Sequence, residues 1–283
     1  MKLSYPSFNQ QTLKKVQKVL KSGRVNYWTG NECKMFEDEF SKYLGNKFSV
    51  TVSNGSVALE LALRALKLKR GDEVIVSPRS FIISASCVLN LGLKPIFSDV
   101  DENGNLSIKD IKKVYNKKVK AIIVVYLNGL SCDLDPILTF VKKNKLFLIE
   151  DCSQAHGAIY KSKKVGSFGH LSTWSFCQDK IMSTGGEGGM ISTNNTKLWL
   201  KLWSLKDHGK NYKSVFYKKN KIGFKWLHDD FGSNYRMTEI QAVIGRIQLK
   251  SLDKQLKKRN IIANLYLNGL KNYYQKYDIL KKP

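Results

Sequence analysis

An alternation over residues 47–200 constrains the fold most: short β-forming runs, several of them continuously apolar, are separated by amphipathic helical runs. The β candidates are Phe48–Ser53, Glu73–Ser77, Pro95–Asp99, Ala121–Tyr126, Leu146–Glu150, Leu171–Phe176 and Gly189–Thr193. A run such as Ala121-Ile122-Ile123-Val124-Val125 has no polar face, so it needs cover on both sides, as strands of a parallel sheet have. Helical runs sit between the first five. Val57–Leu66 is rich in helix formers, Ile108, Ile111, Val114 and Tyr115 recur at helical spacing behind a Ser107 cap, and Ile137, Phe140 and Val141 repeat the pattern. The order predicts an α/β domain with a mostly parallel, seven-stranded sheet. No helical run separates the last two strands, which leaves one of them free to run antiparallel.

Beyond residue 200 the pattern changes. Trp199–Trp203 continues a helix that Asp207-His208-Gly209 ends. Residues 210–235, including Gly223 and Gly232, read as a long polar and aromatic loop, which compact domains keep for a site or an interface. A long helix starts near Met237 with Ile240, Val243, Ile244 and Ile247 on one face, and a Lys-rich tail carries the weaker pattern Ile261, Ile262, Leu265, Tyr266.

With 42% apolar and 11% aromatic residues the chain can bury a core, which excludes a disordered polypeptide. No apolar run approaches the roughly 20 residues of a membrane span, and no signal-peptide core follows Met1, so a cytoplasmic protein is expected. The cysteines, Cys33, Cys87, Cys132, Cys152 and Cys177, are odd in number and lack zinc spacing; they read as reduced thiols, and no metal site is expected. Lys and Arg exceed Asp and Glu by 48 to 23, a net charge of +25. Because the basic residues are dispersed rather than gathered in a stripe, they read as solvated surface and not as a nucleic-acid site. A positive surface would still draw in a pyrophosphate-bearing substrate.

Three segments could carry chemistry. Ser53-Asn54-Gly55-Ser56, between a strand and a helix, would present free N–H groups to an anion, although an ordinary strand-to-helix turn uses the same residues. Asp151, in Leu148-Ile149-Glu150-Asp151-Cys152-Ser153-Gln154-Ala155-His156-Gly157, follows a buried strand where α/β proteins bind ligands. A carboxylate buried there needs a cationic or hydrogen-bonding partner, such as a protonated pyridine nitrogen; an exposed helix cap is the alternative. Lys180 sits between the strand ending at Phe176 and the glycine-dense Thr184-Gly185-Gly186-Glu187-Gly188-Gly189, whose backbone is free to approach a bound ring. Desolvated lysines form Schiff bases with carbonyls, whereas most lysines of such a chain are surface groups.

Taken in order, these segments resemble the DegT/StrS family of nucleotide-sugar aminotransferases, on the three-layer fold shared by aspartate-aminotransferase-like enzymes that use pyridoxal 5'-phosphate. Gly71-Asp72-Glu73-Val74-Ile75-Val76, Lys94–Val100, Gly166-Ser167-Phe168-Gly169 and Gly232-Ser233-Asn234-Tyr235-Arg236-Met237-Thr238-Glu239 belong to the same resemblance, which runs from about Tyr5 to the end of the chain. It implies the cofactor and a role for each matching residue. Lys180 matches the Schiff-base lysine, which also shuttles the substrate proton. Asp151 matches the acid on the pyridine nitrogen, and Gln154 the side chain beside the phenolic oxygen. Gly55 and Ser56 match the phosphate-binding amides, Ser175 a hydroxyl at the same phosphate, and Phe81 the aromatic stacked on the ring. Asn234 matches a residue that reaches the phosphate from the neighbouring subunit, so the resemblance implies a homodimer with shared active sites. His156 is expected to pack or to support the residues that touch the cofactor, His208 to be structural rather than catalytic, and Glu187 is assigned no proton transfer.

The implied reaction moves an amino group from an amino-acid donor, glutamate in this family, to a keto-sugar on a nucleotide carrier, for amino-sugar and surface-polysaccharide synthesis. Family members extend on the order of a hundred residues beyond the long helix. The expected organisation is therefore a cofactor-binding large domain over residues 1–250, and over 251–283 the start of a small C-terminal domain that is largely missing. Two alternatives follow: an inactive, truncated remnant that only binds or dimerises, and a sugar dehydratase of the same family. Such dehydratases commonly carry His in place of the lysine, and Lys180 argues against that reading.

Overall fold

The computed structural model describes residues 6–217, 226–271 and 273; residues 218–225 of the predicted loop, Gly223 among them, lie outside the described residues. The helices are α1 (Gln10–Lys21), α2 (Glu32–Leu44), α3 (Gly55–Ala65), α4 (Ile83–Asn90), α5 (Ile108–Val114), α6 (Leu134–Lys143), α7 (Thr196–Lys206), α8 (Tyr212–Phe216) and α9 (Glu239–Gly269). The strands are β1 (Phe48–Val52), β2 (Glu73–Val76), β3 (Lys94–Phe97), β4 (Val119–Val125), β5 (Phe147–Asp151), the short hairpin β6 (Ile159–Tyr160) and β7 (Lys163–Lys164), β8 (Leu171–Ser175) and β9 (Gly189–Thr193). All seven predicted strands are present, and they form one sheet in the order β1-β9-β8-β5-β4-β2-β3. Only β9 runs against its neighbours, β1 and β8, as the missing crossover helix allows.

Helices cover both faces, which makes the domain three-layered. In β4, Ile122 and Val124 pack with residues of α2, α5, α6 and α9, whereas Ala121, Ile123 and Val125 pack with α3, α4 and α7. Two covered faces are why that strand is apolar throughout. Ser107 caps α5, its hydroxyl accepting from the Asp110 N–H. Thr238 and Gln241 form a capping box that starts α9. The first half of α9 buries Ala242, Val243, Leu249 and Leu252, and the helix runs unbroken past residue 250 with Ile261, Ile262, Leu265 and Tyr266 exposed. Among the described residues no helix is long and apolar enough to cross a membrane. Cys33, Cys87, Cys132 and Cys152 are buried free thiols, and Cys177 is half-buried.

The alternation of side chains along β5 divides two neighbouring acids. Glu150 points to the α2 face and is fully buried, where it accepts from the Tyr126 hydroxyl at 2.6 Å, the Gly166 N–H at 2.7 Å and the Phe168 N–H at 2.8 Å, and also from the Gly169 N–H. Burial raises its pKa, and these donors oppose the rise. Glu150→Ala would strand all these donors, so a loss on the order of 4 kcal/mol is expected by denaturant titration. Asp151 points the other way, toward the amino end of α3.

Candidate active site

Strands β1, β5 and β8 run in the same direction, so their carboxyl ends meet at one edge of the sheet. A cavity of about 470 Å³ opens there, lined among others by Gly55, Ser56, Phe81, Asp151, Gln154, Ser175 and Lys180. Seven of the eight residues singled out in the sequence therefore converge, from positions as far apart as 55 and 180. The exception is Asn234, which is exposed, lies outside this cavity, and pairs through its backbone with Asp207.

Each wall follows from local structure. Asn54 caps α3 by accepting from the Val57 N–H at 2.9 Å, which leaves the Gly55 and Ser56 amides at the free amino end of the helix. Gly55 is required by close approach: a Cβ there would lie 2.6 Å from the Ser175 Cβ and 3.1 Å from its Oγ. Asp151, 5% exposed, accepts from the Ser153 N–H at 3.1 Å. Burial pushes its pKa up; hydrogen bonds from Ser153 and the Lys180 charge pull it down without cancelling the rise. The buried acid is thus short of positive charge. Lys180, at 22% side-chain exposure, meets Asp179 at 2.9 Å, and that contact holds the Asp179 carboxyl below its usual range. Gln154 accepts from the Asn128 N–H at 2.9 Å, and Phe81 stands on the rim, 69% exposed. Cys177, Asp179 and Asn54 also line the cavity. Only the helix cap had a readable signal, an Asn immediately before Gly-Ser.

His156 packs as expected. It is buried on the opposite side of β8 from Ser175, 5.4 Å from the Trp174 ring and 5.7 Å from the Phe176 ring, with neither nitrogen in hydrogen-bond geometry. Burial lowers its pKa from 6.5 to about 3; the nearby Ser175 backbone opposes this and the Lys180 charge adds to it. Because the depressed value belongs to the folded state, the unfolded chain takes up the proton first as pH falls below 6.5. His156 should therefore cost about 2 kcal/mol of stability between about pH 7 and pH 5, and His156→Gln should flatten that part of a stability-against-pH curve. His208 plays a backbone role at the end of α7, with φ at 58° and its carbonyl 2.8 Å from His228 Nδ1.

The family model described as the DegT/DnrJ/EryC1/StrS aminotransferase family matches residues 6–281. The chain belongs to this family. It is 39% identical over 247 residues to a GDP-perosamine synthase of Escherichia coli O157:H7, covering 87% of this chain and 65% of that protein. An aminotransferase structure from Psychrobacter cryohalolentis superimposes with a TM-score of 0.94 at 50% identity, covering 96% of this chain and 69% of the other. A GDP-4-keto-6-deoxymannose-3-dehydratase with bound GDP-perosamine superimposes with a TM-score of 0.87 at 30% identity, covering 94% of this chain and 73% of the other. The chain thus spans about two thirds of the length of the relatives it matches. A shared fold alone does not separate amination from dehydration.

Proposed function

We propose that the protein is a pyridoxal-phosphate-dependent aminotransferase, that glutamate is its donor, and that a keto-sugar carried on a nucleoside diphosphate is its acceptor, in amino-sugar and surface-polysaccharide synthesis. The observation that carries this reading is the pairing, in one cavity, of the buried and positively starved Asp151 with the amine of Lys180. Asp151 would hold a protonated pyridine nitrogen, whose charge would offset the cost of burying this acid. Gly55 fits the other end of the same group, since a side chain there would collide with Ser175, and Gly55 and Ser56 stand at the free amino end of α3 on the cavity wall. When bound, the cofactor supplies an aldehyde and an electron-accepting ring.

The residues would divide the remaining work. Gly55, Ser56 and Ser175 would bind the phosphate, Gln154 would orient the ring through its phenolic oxygen, and Phe81 would cover one face and exclude water. Asp151 would keep the ring nitrogen protonated. Lys180 would hold the cofactor covalently and then, as a free amine, carry the proton between substrate carbon and cofactor. Asn234, exposed and away from its own cavity, would serve the site of a second copy, giving a homodimer. The cytoplasm, where nucleotide sugars and glutamate are at hand, would be its place. The residues after 250 would begin a second, smaller domain.

Gly55→Ala tests the phosphate end: by forcing Ser175 away from α3 it should weaken pyridoxal phosphate binding about tenfold, read by fluorescence titration. Adding glutamate to the cofactor-loaded protein tests the reaction. Bleaching of the visible band with release of 2-oxoglutarate is expected. A protein that removes oxygen from the nucleotide sugar without net amination would be a dehydratase, and one that takes up no cofactor would be a binding remnant.

A further inference from the structure

A cluster of buried charges that the proposed reaction does not use is joined by hydrogen bonds to the end of β1. Lys206 and Asp207 are both 0% exposed, and Lys210 is 5% exposed. Asp207 Oδ1 receives Arg236 Nη1 at 2.6 Å and Lys210 Nζ at 2.9 Å, while Lys210 also sits over the rings of Trp28 and Trp226, at 4.3 Å and 4.2 Å. Lys206 Nζ lies 3.3 Å from the centre of the Tyr27 ring and 3.6 Å from Glu37 Oε1. Lys206 Nζ, Asp207 Oδ2 and Arg236 Nε make no hydrogen bond. Buried, incompletely paired charges cost stability that an apolar core of the same shape would not, so their presence calls for a role other than holding the fold together.

The backbone shows what they hold. Glu37 Oε1, the partner of Lys206, accepts from both the N–H and the hydroxyl of Thr51 in β1, at 2.9 Å and 2.8 Å. Residues 205–208 pair with 233–235: Ser233 N–H donates to the Leu205 carbonyl, Tyr235 N–H to Lys206, and His208 N–H to Ser233. The Tyr235 carbonyl in turn accepts from Ser53 N–H at 2.9 Å. Thr51 and Ser53 are thereby gripped from two sides immediately before Asn54 and Gly55.

We propose that the Glu37–Lys206 and Asp207–Arg236 pairs are positioning elements that set the end of β1, and with it the Gly55–Ser56 amides, in register for a phosphate. The inference rests on the reading that those amides bind the cofactor's phosphate. A misplaced turn would lose the phosphate contribution and keep the ring contribution.

Pyridoxamine phosphate and pyridoxamine separate the two, because they share the ring, differ in the phosphate and need no covalent bond. Asp207→Asn is expected to reduce the preference for the phosphorylated ligand about tenfold, while affinity for pyridoxamine stays within about twofold of wild type. Glu37→Gln combined with Lys206→Met removes the other pair without leaving a lone buried charge, and it should act the same way if Asp207→Asn fails to fold. Equal weakening of both ligands, or an unchanged preference in a folded variant, would overturn the proposal. A wild-type protein indifferent to the phosphate would instead remove the Gly55 reading, and the proposal with it.

Discussion

Lys180→Ala protein is expected to lose the glutamate half-reaction by on the order of 10⁴-fold or more, while still binding pyridoxamine phosphate. The size follows from the two tasks given to one amine: covalent attachment and proton transfer, the second alone contributing about 10²–10⁴-fold. Folding should change little, because the side chain is partly exposed and its ion pair is with the 70% exposed Asp179. An added small amine should restore part of the rate to Lys180→Ala, since it can take the proton but cannot be positioned. Retention of the full rate in the variant would remove Lys180 from the chemistry. Single-turnover absorbance with glutamate is the appropriate measurement, because it does not depend on the sugar.

Asp151→Asn should reduce the same half-reaction by roughly 10²–10³-fold, the value of an ion pair that shifts a ring nitrogen by about two to three pKa units. Its effect on the cofactor-free protein should have the opposite sign. Burial raises the Asp151 pKa, so the folded state binds a proton that the unfolded state has released, and stability falls as pH rises from the ordinary carboxylate range through the raised value. Asn removes that penalty. Asp151→Asn protein without cofactor should therefore melt at or above the wild-type temperature at neutral pH, as residues kept for activity rather than stability do. A variant that is both inactive and markedly less stable would point to a structural acid instead. Calorimetry with and without cofactor separates the two cases.

The sheet was legible because its physics is local. Apolar runs such as Ile122–Val125 state that both faces are covered, and the absence of a helix between the last two strands anticipates the reversal at β9. Motif resemblance, rather than pattern, brought Gly55, Asp151 and Lys180 together. Nothing in a propensity or a period links positions 55 and 180; the β1-β9-β8-β5 strand order does. The helix within 210–235 was not anticipated: α8 is only five residues long, too short for a periodic signal, and it is started by Asn211 accepting from the Ser214 N–H.

A dispersed basic composition reads as solvated surface, yet Lys206 and Lys210 are buried among Tyr27, Trp28, Trp203 and Trp226. The faces of these rings substitute for part of the water that an ammonium group loses. A window around either lysine cannot show this, because Tyr27 and Trp28 come from the loop before α2, nearly two hundred residues away in sequence. Glu150 is similar. Its place next to Asp151 guarantees that the two acids face opposite sides of the sheet, but the loop that donates to it, Gly166–Gly169, is fixed only by the tertiary fold.

One measurement bears most directly on the pairing of Lys180 with Asp151 across a cofactor-sized cavity. The purified protein is loaded with pyridoxal phosphate, reduced with borohydride and digested, and the modified peptide is identified by mass spectrometry. In a chain with so many basic residues, label confined to Lys180, and abolished by competing pyridoxamine phosphate, is the expected result. Label spread over surface lysines, with Lys180 unmodified, would contradict the account.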